Sequence, residues 1–271
     1  MAYSLKRETQ MKIARVNMDD KIFHGAIEND AIRRLARSPF EEVKPVGPRI
    51  PLDRVELLAP VRPPNVIAIG LNYRAHADEG GMTYPTAPVV FIKATSAVCG
   101  PCDNIVLPAM APNEVDYECE ICIVIGRQAK NVSEKDALGH VLGYTCGNDV
   151  SARDCQIRLD RQWARGKSFD TFAPLGPWIE TEMNPDRARI RTLLNGTVMQ
   201  DSHTSDMIFG CAKLVSYLSH CMTLLPGTVI MTGTPAGVGF TRKPPVFLRP
   251  GDVVEVAIDG IGTLRNQVVK E

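Results

Sequence analysis

Most apolar runs in this chain are four to eight residues long, too short for helices, and they predict strands. Residues 11–16 and 21–27 read as two short strands joined by Asn17-Met18-Asp19-Asp20, a turn-forming run. Asn29-Asp30 then predicts the cap of a short helix over 31–37. Proline punctuates 45–64, and a boundary falls near residue 60. This divides the chain into a small N-terminal α/β module (1–60) and a main domain (61–271). Beyond it, Val66-Ile67-Ala68-Ile69-Gly70 and Val89-Val90-Phe91-Ile92-Lys93 predict strands on either side of a polar segment, 72–81, that exits through paired glycines. Residues 103–108 add another strand. Ser133 and Asp136 open a helix in capping-box fashion. Residues 141–146 predict a strand that delivers Asn148-Asp149, and a helix follows over 151–160. Apolar spacing over 207–218 is helical. The strand 229–231 runs into the glycine-rich 232–239, and 252–265 reads as an alternating hairpin. Strands outnumber helices and no repeat is visible, so the fold class is α+β and β-rich.

The stretch 116–126 departs from this alternation. Residues 121–125 are uniformly apolar and rich in β-branched side chains, which predicts a buried strand. Asp116, Glu118 and Glu120 stand at its start at a spacing of two. An extended chain puts those three on one face and Tyr117, Cys119 and Ile121 on the other. Carboxylates carried into a sheet interior must meet a cation or take up protons. A divalent metal satisfies three of them together. The plain alternative is the solvated face of an amphipathic strand.

Composition narrows the field. The 271 residues suit one large domain with a small appendage, and 31 basic residues balance 31 acidic ones, so nothing points to nucleic acid or a membrane surface. Residues 1–10 read as a frayed leader without an apolar core, and no apolar run reaches about 18 residues, so a cytoplasmic location is expected. Eight cysteines include two CxxC pairs, Cys99/Cys102 and Cys119/Cys122. A four-thiolate zinc site is disfavoured, because residues three apart in a strand point to opposite faces. Reduced thiols packed as small apolar groups are expected instead.

Four further elements carry chemistry suited to a metal-held enolate. Asp149, at a strand exit, is a candidate third oxygen ligand beside Glu118 and Glu120, with a capping role before Ser151 as the alternative. Lys167, beside Gly166, can neutralise an oxyanion, although most lysines are simply surface groups. His76 and Glu79 share a face if their segment is helical, and the carboxylate can then orient the imidazole for proton transfer. Gly80-Gly81 lets that segment move as a lid. The glycines of 232–239 free backbone N–H groups to bind an anion, but the run lacks the Gly-Lys-Ser/Thr ending of a phosphate loop.

Together, Gly70-Leu-Asn-Tyr-Arg-Ala-His76-Ala-Asp-Glu79, Asp116-Tyr-Glu118-Cys-Glu120, Asn148-Asp149-Val-Ser-Ala-Arg153-Asp-Cys-Gln156, Gly166-Lys167-Ser-Phe-Asp-Thr171 and Thr232-Gly-Thr234-Pro-Ala-Gly-Val-Gly239 follow the order seen in the fumarylacetoacetate hydrolase superfamily. The chain resembles that family from about residue 62 to its end. The resemblance implies a mixed β-sandwich roll, usually a homodimer, that holds Mg²⁺ or Mn²⁺. The metal would sit on Glu118, Glu120 and Asp149, leaving Asp116 a supporting role. It further implies a catalytic His76–Glu79 pair with Lys167, and substrate contacts from Arg153, Gln156 and Thr234, with Gly233 and Thr171 in the same motifs. The implied activity is metal-dependent hydrolysis of a carbon–carbon bond in a 2,4-dioxo acid, acylpyruvate-like or sugar-derived. Oxaloacetate-type decarboxylation and keto–enol tautomerisation are the alternatives on the same site, and an inactive homologue acting as a binding protein is the alternative of another class. Arg161, Trp163 and Arg165 are candidates to line the acyl end, with Trp163 in the core as the other option. His203 is expected on a surface turn.

Overall fold

The computed structural model describes residues 11–271, and the expected leader at 1–10 lies outside them. Near the N-terminus, β1 (Lys12–Met18) and β2 (Lys21–Glu28) form an antiparallel hairpin, and β3 (Ala31–Arg34) continues it. The predicted helix over 31–37 is therefore corrected to a strand. Asn29 adopts φ 60°, so Asn29-Asp30 is a two-residue hairpin turn rather than a cap. Asparagine tolerates the left-handed region, and the same two residue types serve both purposes. The module expected as α/β is thus built of strands, with one short helical turn at Leu52–Arg54.

Beyond residue 60 the main strands are β4 (Val66–Gly70), β5 (Val89–Lys93), β6 (Cys119–Ile125), β7 (Val141–Asn148), β8 (Ala173–Glu180), β9 (Arg189–Leu194), β10 (Thr197–His203), β11 (Val229–Met231), β12 (Val253–Ile258) and β13 (Gly262–Lys270). A large mixed sheet runs β3-β2-β1-β8-β7-β6-β11-β4-β5, so the N-terminal hairpin extends it through β1 pairing with β8. A second sheet runs β10-β9-β12-β13 and ends on the short strand Ile105–Leu107. Helix α1 (Arg74–Glu79) follows β4, and α2 (Cys211–Cys221) lies between the 204–206 turn and β11.

Strand β6 is buried along its whole length, as the apolar run predicts. Its odd positions, Cys119, Ile121, Ile123 and Ile125, pack in a core with Ile190, Val256 and Leu264 of the second sheet and Leu214 and Leu218 of α2. Its even positions, Cys122 and Val124, pack on the other side with Leu175, Met231 and Phe91. Cys119 and Cys122 therefore enter different cores. The expected helix over 151–160 is realised as a wide turn over Asp154–Leu159, closed by Asp160 N–H donating to Cys155 O five residues back.

His24 on β2 has Nε2 3.3 Å from Pro60 O. Burial holds its pKa below the ordinary 6.5; the Pro60 carbonyl opposes this and Arg15 adds to it. The unfolded chain then binds the proton more readily, so His24 removes stability as pH falls below 6.5 and none above it. His24→Gln is expected to flatten the loss of melting temperature between pH 6.5 and about 5. Parallel melting curves for the two proteins across that range would reject this.

Candidate active site

Glu118, Glu120 and Asp149 meet in the interior, each offering an oxygen within 4.8 Å of the others. The carboxylate stretch is not one continuous strand. Val115–Asp116 pairs separately with Ser151–Ala152, the chain leaves the sheet at Tyr117-Glu118, and β6 begins at Cys119. This break separates Asp116 from the other two acids. Asp149 arrives from the end of β7, where its N–H donates to Glu118 O at 2.9 Å and Asn148 Oδ1 accepts from Glu118 N at 2.9 Å.

Three buried cations surround the acids. Lys167 Nζ donates to Glu118 Oε2 (2.8 Å) and Asp149 Oδ2 (2.9 Å). Lys93 Nζ donates to the other Asp149 oxygen at 2.5 Å and to Val150 O at 3.3 Å. Arg153 Nη2 lies 2.8 Å from Asp116 and 2.7 Å from Glu118, and its guanidinium stacks on Phe240 at 4.3 Å. Burial works against ionisation of Glu118, but Lys167 and Arg153 outweigh it and hold the pKa down to about 2. Glu120 behaves oppositely. Burial first, then Asp149 and Glu118, push its pKa well up, and its hydrogen bond comes from Gly233 N at 2.8 Å. Among the described residues it is the triad member without an ion-pair partner, so four carboxylates, were all ionised, would face three cations.

That donor set fits a divalent ion. The oxygens are hard, they converge, and Glu120, with one oxygen bonded to Gly233, is the triad acid whose ionisation a bound cation would favour. Glu118, Glu120 and Asp149 are the residues that would hold it.

The loop 232–239 differs from its expected role. Its N–H groups serve the protein's own carboxylates: Gly233 donates to Glu120, Gly237 to Glu79 (3.2 Å to each oxygen), and Gly239 to Asp116 (2.8 Å). Asp116 also accepts from Phe240 N, Tyr117 N and Arg153 Nε. It thus ties the loop to the carboxylate stretch. Only glycine fits at 239, where a Cβ would run into Val246 O and the Asp116 carboxylate.

His76 and Glu79 lie on α1 as the spacing requires, with Nδ1 3.4 Å from Oε2. Burial raises the Glu79 pKa, but the His76 and Gly237 hydrogen bonds outweigh it and leave it lowered. Asp206 Oδ2 accepts from Ala75 N at 3.0 Å, docking the start of α1. Gln156 Oε1 accepts from Arg153 Nη1 at 2.8 Å. Thr171 makes its contacts elsewhere, with Oγ1 accepting from Val106 N. Trp163 packs edge-on against Phe91 (5.4 Å) and Arg165 pairs with Asp160, while His203 is exposed as expected but ends β10, paired with Arg189, rather than lying in a turn. Arg161 is exposed.

Sequence reasoning missed Lys93, although the signal was present. Alternation along β5 puts Lys93 on the same face as Phe91, and both are buried. Nothing in the sequence singles out Gln200, which lies in β10 and is buried.

The fold and this site define a β-rich enzyme of one family. The family described as "Fumarylacetoacetate (FAA) hydrolase C-terminal" matches residues 65–269, and "Rv2993c-like, N-terminal" matches residues 11–60. A fumarylacetoacetate hydrolase domain-containing protein 2 homolog of Dictyostelium discoideum is 51% identical over 81% of this chain and 76% of its own length. A mitochondrial oxaloacetate tautomerase of Bos taurus is 46% identical over 82% of this chain and 72% of its own. The crystal structure of a 5-carboxymethyl-2-hydroxymuconate delta-isomerase from Mycobacterium smegmatis superposes with a TM-score of 0.88 at 44% identity, covering 96% of this chain and all of the other. The chain belongs to the fumarylacetoacetate hydrolase family.

Proposed function

We propose that the protein catalyses keto–enol tautomerisation of a small 2-oxo dicarboxylic acid such as oxaloacetate, with Mg²⁺ or Mn²⁺ on Glu118, Glu120 and Asp149. The observation that carries this is the buried acid triad, one member of which has no ion-pair partner among the described residues, adjoined by an imidazole–carboxylate pair. When bound, the ion supplies positive charge that favours the enolate form of a chelated 2-oxo acid. Lys167, already bonded to two of the carboxylates, adds positive charge beside the substrate oxygens. Glu79 holds the His76 ring through Nδ1, leaving Nε2 to move a proton between carbon and oxygen. Arg153 and Gln156 bind and orient a carboxylate, with Thr234 and Gly233 on the facing loop.

Sequence reasoning put carbon–carbon hydrolysis first. Two of the similar proteins are named as a tautomerase and an isomerase, and they favour the alternative. Hydrolysis remains a second reading, because the His76–Glu79 pair is also suited to activating water.

Purified protein with Mn²⁺ is expected to convert enol-oxaloacetate to the keto form, with EDTA abolishing the activity. His76→Asn or Glu79→Gln should lower kcat about 10²–10³-fold. Cleavage of acetylpyruvate faster than oxaloacetate tautomerisation would overturn the assignment in favour of hydrolysis.

A further inference from the structure

Gln200 lies on β10, in the second sheet, far in sequence from every motif of the site, and is almost fully buried. Its amide makes four hydrogen bonds. Oε1 accepts from Cys119 N (3.0 Å) and from Thr192 Oγ1 (2.7 Å). Nε2 donates to Thr234 Oγ1 (2.8 Å) and to Pro235 O (2.8 Å). The neighbours fix which way the amide faces: a backbone N–H at Cys119 can only donate, and the Pro235 carbonyl can only accept. Cys119 stands between Glu118 and Glu120, and Thr234 follows Gly233, whose N–H holds Glu120. One side chain therefore joins the segment that carries two of the acids to the loop that faces them.

We propose that Gln200 is a positioning residue for this site. It sets the register of the loop 232–239 against β6 and fixes the polarity of Thr234. Because Thr234 Oγ1 accepts from Nε2, its own hydrogen is directed away from Gln200. The Cys119 thiol lies beside Thr192 and Thr234. Sulfur is a weak acceptor, so the hydroxyl gains by turning to an oxygen when one is offered. This consequence for substrate rests on the tautomerase assignment; the loop register does not.

The test compares wild type with Gln200→Met, which keeps the length and removes all four bonds, and with Thr192→Val, which removes one buried bond but leaves the strand-to-loop bridge. Amide hydrogen exchange is read over 232–239 in the metal-free chain. KM and kcat for oxaloacetate are read with Mn²⁺. Gln200→Met is expected to speed exchange in 232–239 about tenfold and to raise KM about tenfold with kcat within about threefold, while Thr192→Val moves neither. If Gln200→Met does not fold, Gln200→Glu is used in its place. It retains the Cys119 and Thr192 bonds, sets an acceptor oxygen against Pro235 O so that this bond is lost, and reverses the Thr234 bond, since the hydroxyl can donate to a carboxylate. Unchanged exchange over 232–239, or an equal effect from Thr192→Val, overturns the proposal. Faster exchange in a protein whose wild type leaves oxaloacetate untouched would sink the tautomerase assignment and keep the positioning role.

Discussion

Glu120→Gln is expected to abolish Mn²⁺ binding and lower turnover by about 10³-fold or more, while leaving the metal-free chain at least as heat-stable as wild type. The reasoning starts from charge. Lys167, Arg153 and Lys93 already compensate Glu118, Asp149 and Asp116, whereas Glu120 accepts a backbone N–H and has no ion-pair partner among the described residues. Glutamine is isosteric, keeps an oxygen for Gly233, and removes the repulsion with Glu118 and Asp149. Wild type should gain about 2.7 kcal/mol at a hundredfold excess of Mn²⁺ over Kd, several degrees of Tm in scanning calorimetry, and the variant none. The pH dependence has a definite sign. The folded pKa of Glu120 is raised, so its protonation contributes stability at low pH that is lost as pH rises above the ordinary 4.5. Metal-free wild type should therefore lose stability relative to Glu120→Gln as pH rises. A variant that keeps the Mn²⁺-induced shift would show that the ion sits elsewhere.

Lys93→Met should have the opposite thermal signature. Lys93 is fully buried and bonds Asp149 Oδ1. Burial pulls its pKa down while Asp149 pulls it up, and the net effect is a lowered value. Removing the ammonium leaves a buried carboxylate oxygen without its partner, which costs about 3 kcal/mol, roughly 6–12 °C. Part of that loss should return with Mn²⁺, since the ion supplies charge that Asp149 has lost. The variant should gain more from Mn²⁺ than wild type does. An unchanged metal-free Tm, or an Mn²⁺ gain equal to that of wild type, would assign Lys93 no part in balancing the triad.

The strands were legible where a single local rule decides. The apolar run 121–125 and the alternation of 253–258 follow from burial on two faces or one. The 31–34 strand was misread because Asn-Asp serves both a helix cap and a left-handed hairpin turn, and pairing with β2 settles it. The acid cluster was half legible. Spacing put Asp116, Glu118 and Glu120 on one face, but only the break at Tyr117-Glu118 separates Asp116, and no local pattern announces that break. The loop glycines were read as donors, correctly in kind. Which carboxylates they serve depends on elements more than 100 residues away in sequence. Gln200 carried no signal of its own, since one amide on a strand gains meaning only from its four partners.

Gly233 and Gly237 belong to one short length of backbone, so Glu120 and Glu79 share a mount. Metal at the triad and substrate against α1 would then act on one loop. Thermodynamic reciprocity makes their coupling symmetric: the factor by which metal tightens substrate equals the factor by which substrate tightens metal. A dicarboxylate that engages α1 should tighten the equilibrium binding of Mn²⁺ by that same factor, part of it carried by this loop in addition to direct chelation.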